Sequence, residues 1–290
     1  MEKKTGLILS FLIASTFTFA QTVSGKLKFG QGQVFEIEMK TNSTISQQAM
    51  GQAIDFKVDA SANHSYAATN ATDDNTTLRH EVQKINFAFD GMGQKQKFDS
   101  DNEKDLKGPF GKPVKDMLEK KYDMVIDPSG NVKMAFPEKI TLAEGDSRMA
   151  IISNMLKGVM DLVQPPQKGK PSFFNVLPDT SSSVGSTWKT TAMENGGSSE
   201  TEYKIAEITD TTIVIDFTEN SNSESKAEMM GNPTTTRLKN KSIGKIILDR
   251  STNIVQEKSF NTESTGSTET SFGDLPVTSK TTTTIIVKAK

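Results

Sequence analysis

The stretch Phe-Glu-Ile-Glu-Met-Lys at Phe35–Lys40 alternates strictly between apolar and charged side chains. Because successive side chains of a β-strand point to opposite faces, the alternation gives one apolar face and one wet face. Apolar residues also recur at every second position in Ile54–Val58, Ile85–Phe89, Tyr122–Ile126, Ile213–Phe217, Ile246–Leu248 and Ile285–Val287. Short polar connections between these segments favour meanders. The sequence therefore predicts antiparallel sheets that are covered on one side only.

Two segments have helical instead of alternating spacing. Pro109–Lys121 predicts a short helix, and Asp146–Val163 predicts a longer amphipathic one. Asp146 is a suitable N-cap for the longer helix, and Pro165 with Pro166 ends it. The predicted fold class is α+β and mainly β. It consists of curved antiparallel sheets, half-barrel-like, with one main amphipathic helix and a short second helix.

Composition divides the chain into three parts. We predict a signal peptide at residues 1–20, a first β unit with helices at 21–165 and a second β unit at 166–290, a Thr/Ser-rich antiparallel sheet. The linker between the units is Gln164–Pro171, which is rich in Pro, Lys and Gly.

A turn motif occurs in both β units. Asp127-Pro-Ser-Gly-Asn131 and Asp249-Arg-Ser-Thr-Asn253 share Asp, Ser and Asn at identical spacing, and each follows an alternating strand. Asp and Asn favour turns because their side chains mimic a backbone turn. The motif therefore predicts either a duplicated unit or two hairpins that have converged on one turn.

Composition excludes several classes of function. The chain has 290 residues, no cysteine and a formal net charge of −2. It therefore has no disulfide and no thiolate site, and it lacks the charge excess of a nucleic-acid-binding protein. No apolar run approaches the ~20 residues of a membrane helix, so we predict that it is not an integral membrane protein. No cofactor or hydrolase signature is present, and we expect no catalytic residue, metal or cofactor.

Two features come nearest to a site motif. The two histidines, His64 and His80, lie in polar strand-like surroundings without metal-ligand spacing, so we expect ordinary surface histidines. Asp99–Asp105 places carboxylates at every second position, but Lys104 and Phe110 stand where a calcium loop requires Gly and Glu. A solvated acidic loop is therefore favoured over a calcium site.

The N-terminus predicts export. Lys3 and Lys4 precede the apolar run Leu7–Ala14, and the segment that follows ends in the small residue Ala20, just before Gln21. This is the layout of a secretory signal peptide that is cleaved after Ala20. We expect the protein in the periplasm, with the cell surface or the extracellular medium as the alternative.

Three short motifs carry a family resemblance: Phe19-Ala-Gln21, the Val184-Gly-Ser-Thr-Trp188 step before a strand meander, and the Gly244–Asp249 hairpin. Through them the chain resembles an uncharacterised family of secreted Bacteroidota proteins of about 300 residues with no agreed activity. The resemblance covers mostly Val184–Lys290 and implies no mechanism. The overall pattern is also similar to envelope lipoprotein-carrier proteins, in which a curved antiparallel sheet wraps helices and an apolar cavity.

We expect a non-enzymatic envelope protein that binds an apolar or amphiphilic ligand such as a lipid, or a partner, on a curved sheet. A purely structural module and an enzyme with unrecognised chemistry are the alternatives. Methionine suits adaptable binding surfaces, although amphipathic helices usually serve the core. The predicted ligand-binding residues come from the longer helix and from one strand: Met149, Ile152, Met155, Leu156, Val159, Phe87 and Phe89.

Overall fold

The structure is a computed structural model that describes residues 22–49, 52–91, 93–140, 164–194, 197–229, 232–271 and 273–290. The predicted helix Asp146–Val163 lies outside the described residues. Within these ranges, no helix is both long enough and apolar enough to cross a membrane.

Strands make up most of the described chain, as the alternating segments predict. They are β1 (Thr22–Val23), β2 (Val34–Ala49), β3 (Gln52–Ala71), β4 (Thr76–Gly91), β5 (Gln94–Asp99), β6 (Lys121–Ile126), β7 (Val132–Phe136), β8 (Ser182–Ser183), β9 (Thr187–Glu194), β10 (Gly197–Ile208), β11 (Thr212–Met229), β12 (Asn232–Asp249), β13 (Val255–Thr270) and β14 (Gly273–Ala289). A 3-10 turn at Asp105–Lys107 precedes the helix α1 (Gly111–Glu119), which confirms the predicted short helix.

Twelve strands form one antiparallel sheet. Its order is β7-β6-β4-β3-β2-β14-β13-β12-β11-β10-β9, with β5 paired to β4 as well, while β1 and β8 form a separate two-stranded sheet. Strands from both sides of the predicted 165/166 boundary belong to the large sheet, because β2 pairs with β14. The fold is therefore mainly β and antiparallel, as predicted, and the division into two units stays a prediction.

The large sheet is open and curved. Met124 of β6 and Ile213 of β11 lie far apart in the strand order, yet both belong to one cluster of buried apolar side chains. The first and last strands of this order, β7 and β9, are linked by the segment before β8. The Val132 N–H of β7 donates to the Lys170 carbonyl at 2.9 Å, and the Lys170 ammonium lies 3.4 Å from the Met193 carbonyl of β9.

The sheet has an apolar inner face and a polar outer face. The inner face carries the buried cluster, to which α1 adds Val114 and Met117. The outer face carries cross-strand ion pairs such as Arg79 with Asp123. Several strands extend beyond the cluster, and their inner face there carries small hydroxyl residues such as Ser242 and Ser264. The inner face therefore changes along the strands from apolar to polar.

The two halves of the sheet have the same strand order. The series β7-β6-β4-β3-β2 in the first half matches β13-β12-β11-β10-β9 in the second. In both halves a turn lies just before the first strand and forms an equivalent hydrogen bond to the second strand. The Gly32 N–H donates to the Ala68 carbonyl, and the Gly185 N–H donates to the Ile205 carbonyl, each at 2.8 Å. A register shift follows Ala68 in one half and Ile205 in the other. Ala68 and Ile205 are therefore equivalent positions.

The two Asp turns occupy equivalent hairpins in the repeated series. Asp127 closes the β6–β7 hairpin, where Ile126 pairs with Val132, and Asp249 closes β12–β13, where Leu248 pairs with Val255. One carboxylate oxygen of each Asp accepts backbone N–H groups of its own turn. The two hairpins therefore have equivalent places in strand order and register, and the second turn is one residue longer.

Candidate ligand-binding face

Four aromatic side chains lie side by side on the inner face of the second half. Residues directly opposite each other in antiparallel strands share a face. Tyr203 is opposite both Trp188 and Phe217, while Gly244 of β12 is opposite both Phe217 and Phe260. We call Trp188, Tyr203, Phe217 and Phe260 the aromatic row; it crosses β9, β10, β11 and β13.

The rings of the aromatic row contact their neighbours. Trp188 stacks on Tyr203 with centroids 5.2 Å apart and planes 11° apart. Tyr203 and Phe217 are 6.2 Å apart, and Phe217 meets Phe260 edge-on at 5.9 Å. Offset-stacked and edge-on pairs stabilise each other beyond the area that they bury. The row is therefore a preformed aromatic surface.

A glycine on the intervening strand allows the last contact. A Cβ atom at Gly244 would lie 2.2 Å from the Ser259 carbonyl oxygen and 2.4 Å from the Phe260 Cβ. Because β12 has no side chain there, the Phe217 and Phe260 rings meet across it. A glycine inside a strand commonly marks such a close approach.

A second glycine sets the position of Trp188. Gly185 has a φ of +89°, in the left-handed region that glycine adopts without a steric penalty. Its N–H donates to the Ile205 carbonyl at 2.8 Å, and the Ile205 N–H returns to the Ser186 carbonyl at 3.0 Å. This turn fixes the register that places Trp188 opposite Tyr203.

Most of the aromatic row is half-buried. Phe217 is 4% exposed, whereas Trp188, Tyr203 and Phe260 pack against the core cluster and keep part of their surface open. Surface this aromatic, next to polar groups, is typical of ligand and partner sites.

One cation lies over the aromatic row. The Lys258 ammonium is 5.1 Å from the Phe217 ring centroid and 5.5 Å from that of Phe260, within cation–π range. Burial lowers the pKa of the Lys258 ammonium, and the nearby Glu219 carboxylate acts in the opposite direction. The Glu219 carboxylate accepts a hydrogen bond from Thr201 Oγ1 at 3.1 Å. In the described part of the chain, neither Lys258 nor Glu219 forms an ion pair.

Hydroxyl residues line the inner face beyond the aromatic row. Ser242 and Thr262 are hydrogen-bonded at 2.9 Å, and Ser43 and Thr281 at 2.7 Å. Thr201 and Glu219 belong to the same level of the sheet, because Glu219 is opposite Ser242. The aromatic row therefore separates an apolar region from a polar one.

The predicted site residues on β4 lie elsewhere on the inner face. Phe87 stacks on Phe98 with centroids 5.1 Å apart and meets Phe110 edge-on at 4.7 Å. Phe89 packs with Phe56 and belongs to a small separate cluster. Both are buried, at 4% and 9% exposure, and their role as ligand contacts stays a prediction. The helical candidates Met149, Ile152, Met155, Leu156 and Val159 lie outside the described residues.

The expectation of surface histidines is wrong. His64 and His80 are 3% and 1% exposed, and His64 Nδ1 lies 3.0 Å from His80 Nε2. His80 stacks on Tyr122 at 4.6 Å, and the Tyr122 hydroxyl is 3.1 Å from that of Tyr66. The polar neighbours in the sequence misled the prediction, because those neighbours occupy the opposite face of each strand.

Burial shifts the pKa values of this cluster. It lowers the pKa of His64 to about 4 and that of His80 to about 3, the second helped by the charge of His64. It raises the pKa of Tyr66 to about 12 and moves that of Tyr122 well above its usual value. All four groups are therefore neutral near pH 7.

The acidic loop uses its carboxylates internally. Asp99 accepts a hydrogen bond from the Asp101 N–H at 2.9 Å, and Asp105 accepts one from the Asp99 N–H at 2.9 Å. Lys84 forms ion pairs with Asp99 and Asp101. Among the described residues, no group of three or more His, Asp or Glu side chains has an arrangement that could hold a metal ion.

Several surface grooves lie on the polar outer face. Four of them, of about 360 to 660 Å³, lie where the strands extend beyond the core, and Glu263 borders three of these. Ser, Thr, Asn and Lys make up most of their lining. Ligand sites are mostly apolar with a few polar groups, and the aromatic row fits this description better than the grooves do.

Sequence reasoning missed the aromatic row. The motif Val184–Trp188 drew attention only as part of a resemblance, and Phe217 only as a member of an alternating row. One signal in the sequence could have found the site, since Trp188 is the sole tryptophan of the chain.

Comparisons with known proteins give one family and several distant structures. No curated protein matches this chain. DynF from the dynemicin biosynthesis pathway of Micromonospora chersina is 6% identical, with 96% of this chain and 92% of that chain covered and a TM-score of 0.20. The β domain of the Bordetella autotransporter BrkA is 9% identical, with 89% and 99% covered and a TM-score of 0.26. An outer membrane channel from Pseudomonas putida F1 is 7% identical, with 91% and 98% covered and a TM-score of 0.22.

TM-scores this low do not indicate a common fold. The family comparison is firmer, because its match spans just over half of the chain and reaches both halves of the sheet, at residues 73–134 and 169–255. The chain therefore belongs to the family of unknown function DUF6263.

Proposed function

We propose that this protein is a non-enzymatic binding protein that holds an apolar or amphiphilic small molecule on the inner face of its curved sheet. The observation that carries the proposal is the half-buried aromatic row of the second half. From the predicted signal peptide we also propose export, with the periplasm as the location and the cell surface or the extracellular medium as the alternative.

The row offers what an apolar ligand requires. Covering the open parts of Trp188, Tyr203 and Phe260 removes aromatic surface from water, which favours binding. The rings contact each other before any ligand arrives, so little ordering is lost on binding. A few polar groups at the border of the row can orient the ligand.

The sequence supplies a reporter for the test, since Trp188 is the sole tryptophan. The exported chain is titrated with dodecyl maltoside below the concentration at which it forms micelles, and the fluorescence of Trp188 is followed. We expect a saturable change. Tyr203→Ala removes the stacking partner of Trp188. We expect it to lower the affinity about 10-fold, which corresponds to a loss of about 1.4 kcal/mol of binding free energy, as for a central contact.

The matched control is Phe136→Ala. Phe136 is 60% exposed on the outer face of β7, opposite Asp123, so its removal leaves the affinity unchanged. Absence of any saturable response in the unmodified protein, or an equal effect of both substitutions, would favour the purely structural module. A loss of stability in Tyr203→Ala without any ligand effect in the unmodified protein would point the same way.

A further inference from the structure

The matching strand order and register of the two halves identify which first-half residues are equivalent to the aromatic row. Tyr203 and Tyr66 lie two residues before the equivalent positions Ile205 and Ala68. Their strand partners extend the correspondence, because Trp188 is opposite Tyr203 just as Phe35 is opposite Tyr66. By the same step Phe217 corresponds to His80, and Gly244 to Tyr122.

In the first half this level of the sheet is covered from within the chain. Phe174 packs against Tyr66 at 5.3 Å and against Phe35 at 6.0 Å, and Phe29 meets Phe35 at 5.6 Å. Phe35 and Tyr66 are consequently only 1% and 5% exposed. An apolar ring therefore occupies the first-half position that the second half leaves partly open.

The two charges of the second half replace apolar residues of the first. Lys258 is opposite Ile246 as Ala135 is opposite Met124, so Lys258 corresponds to Ala135. Two residues after His80 stands Val82, which corresponds to Glu219. Val82 and Ala135 are 3% and 5% exposed.

The replacement costs stability unless the charges have a use. Moving a charge out of water is unfavourable when no opposite charge or hydrogen bond compensates it. In the described part of the chain, Lys258 has only the two aromatic faces, and Glu219 has the Thr201 hydroxyl. They are not paired with each other within 4 Å. A positive and a negative group are thus presented separately beside an aromatic surface.

We propose that this face takes a zwitterionic amphiphile: its anionic group lies at Lys258, its cationic group lies at Glu219, and its apolar part covers the aromatic row. The proposal rests on the proposed function, since it names the headgroup chemistry of the same site. A headgroup that joins a phosphate or carboxylate to an ammonium satisfies both charges at once. A headgroup with one charge leaves the other side chain without a partner.

The test compares four amphiphiles that share a twelve-carbon chain, each below its micelle-forming concentration, with Trp188 fluorescence as the readout. They are dodecylphosphocholine, laurate, dodecyltrimethylammonium and dodecyl maltoside. We expect dodecylphosphocholine to bind tightest. Lys258→Met should then lower the affinities for dodecylphosphocholine and laurate about 10-fold, because it removes one partner of a charge pair. Glu219→Gln should lower the affinities for dodecylphosphocholine and dodecyltrimethylammonium, and it should raise the affinity for laurate.

The control variant is Lys245→Met, which removes a lysine from the outer face of β12, where it pairs with Asp216 at 3.6 Å. It changes none of the four affinities. Glu219→Gln keeps the shape and the acceptor for Thr201, and Lys258→Arg keeps the charge, so the test continues if Lys258→Met does not fold.

Each pattern of results has one meaning. If all four amphiphiles bind alike and neither charge variant alters the order, the zwitterion inference is wrong while the proposed function stands. If only laurate binds and Glu219→Gln has no effect, the headgroup is a simple anion and the inference is again wrong. If no amphiphile changes the Trp188 signal, the proposed function fails, and the inference fails with it.

Discussion

Acidification should destabilise this protein through His64 and His80. Their pKa values, about 4 and about 3 in the folded chain, lie below the 6.5 of the free side chain. The unfolded chain therefore binds protons first as the pH falls below 6.5, and the free energy of unfolding decreases down to the folded pKa values. Each imidazole therefore lowers the free energy of unfolding by on the order of 3 kcal/mol between pH 6.5 and pH 4.

The assay is urea denaturation at several pH values between 7 and 4.5, followed by circular dichroism. The matched variant is His64→Asn/His80→Gln, in which the amide groups stand near Nδ1 and Nε2 and can keep the hydrogen bond between the two residues. We expect the unmodified protein to lose stability steadily over this range. The variant should be nearly independent of pH there.

Other titrating groups act in a different range. Asp99, Asp127 and Asp249 have pKa values below the usual 3.8 because of their hydrogen bonds and ion pairs. The stability that they contribute is present above pH 3.8 and is lost only below it. An equal slope between pH 6.5 and 4.5 in the unmodified protein and the double variant would refute the reasoning.

Three further experiments test the sheet, each by urea denaturation. Gly244→Val should cost about 1–3 kcal/mol, because its side chain collides with the β13 backbone; a neutral result would contradict the close approach. Asp249→Ala should cost about 1–2 kcal/mol, since the carboxylate accepts four hydrogen bonds from its turn, and Asp249→Asn should recover part of this. Ile215→Ala, at a fully buried position, should cost about 2–5 kcal/mol, whereas Ile243→Ala on the outer face should cost well under 1 kcal/mol; similar losses would mean that the faces are misassigned.

The strands could be predicted because apolar and polar side chains alternate within each strand segment of the sequence. Ile213, Ile215 and Phe217 all face inward, as their spacing requires, and Pro109–Lys121 contains the helix Gly111–Glu119. The pairing of β2 with β14 could not be predicted, because period two fixes which face a residue occupies but not which strand lies beside it.

The site was harder to predict for the same reason. Trp188, Tyr203 and Phe260 are separated in the sequence, and only the register brings them into one row. His64 shows the opposite error, since its polar neighbours suggested exposure while its own position faces inward. The inward-facing position of Lys258 could not be predicted from its charge, because a lone lysine in a strand usually points to solvent.

The pairing of β14 with β2 has a consequence for how the chain reaches its final state. Contacts such as Ala289 with Phe35 join residues that are far apart in the sequence. The pairing that closes the longest loop of the chain therefore requires the last strand, β14. Folding rates fall as contacting residues lie further apart in the sequence. A chain emerging from one end therefore cannot complete its sheet until the final strand is available. Slow completion of this kind is compatible with the export that we propose, since an exported chain crosses a membrane before it folds.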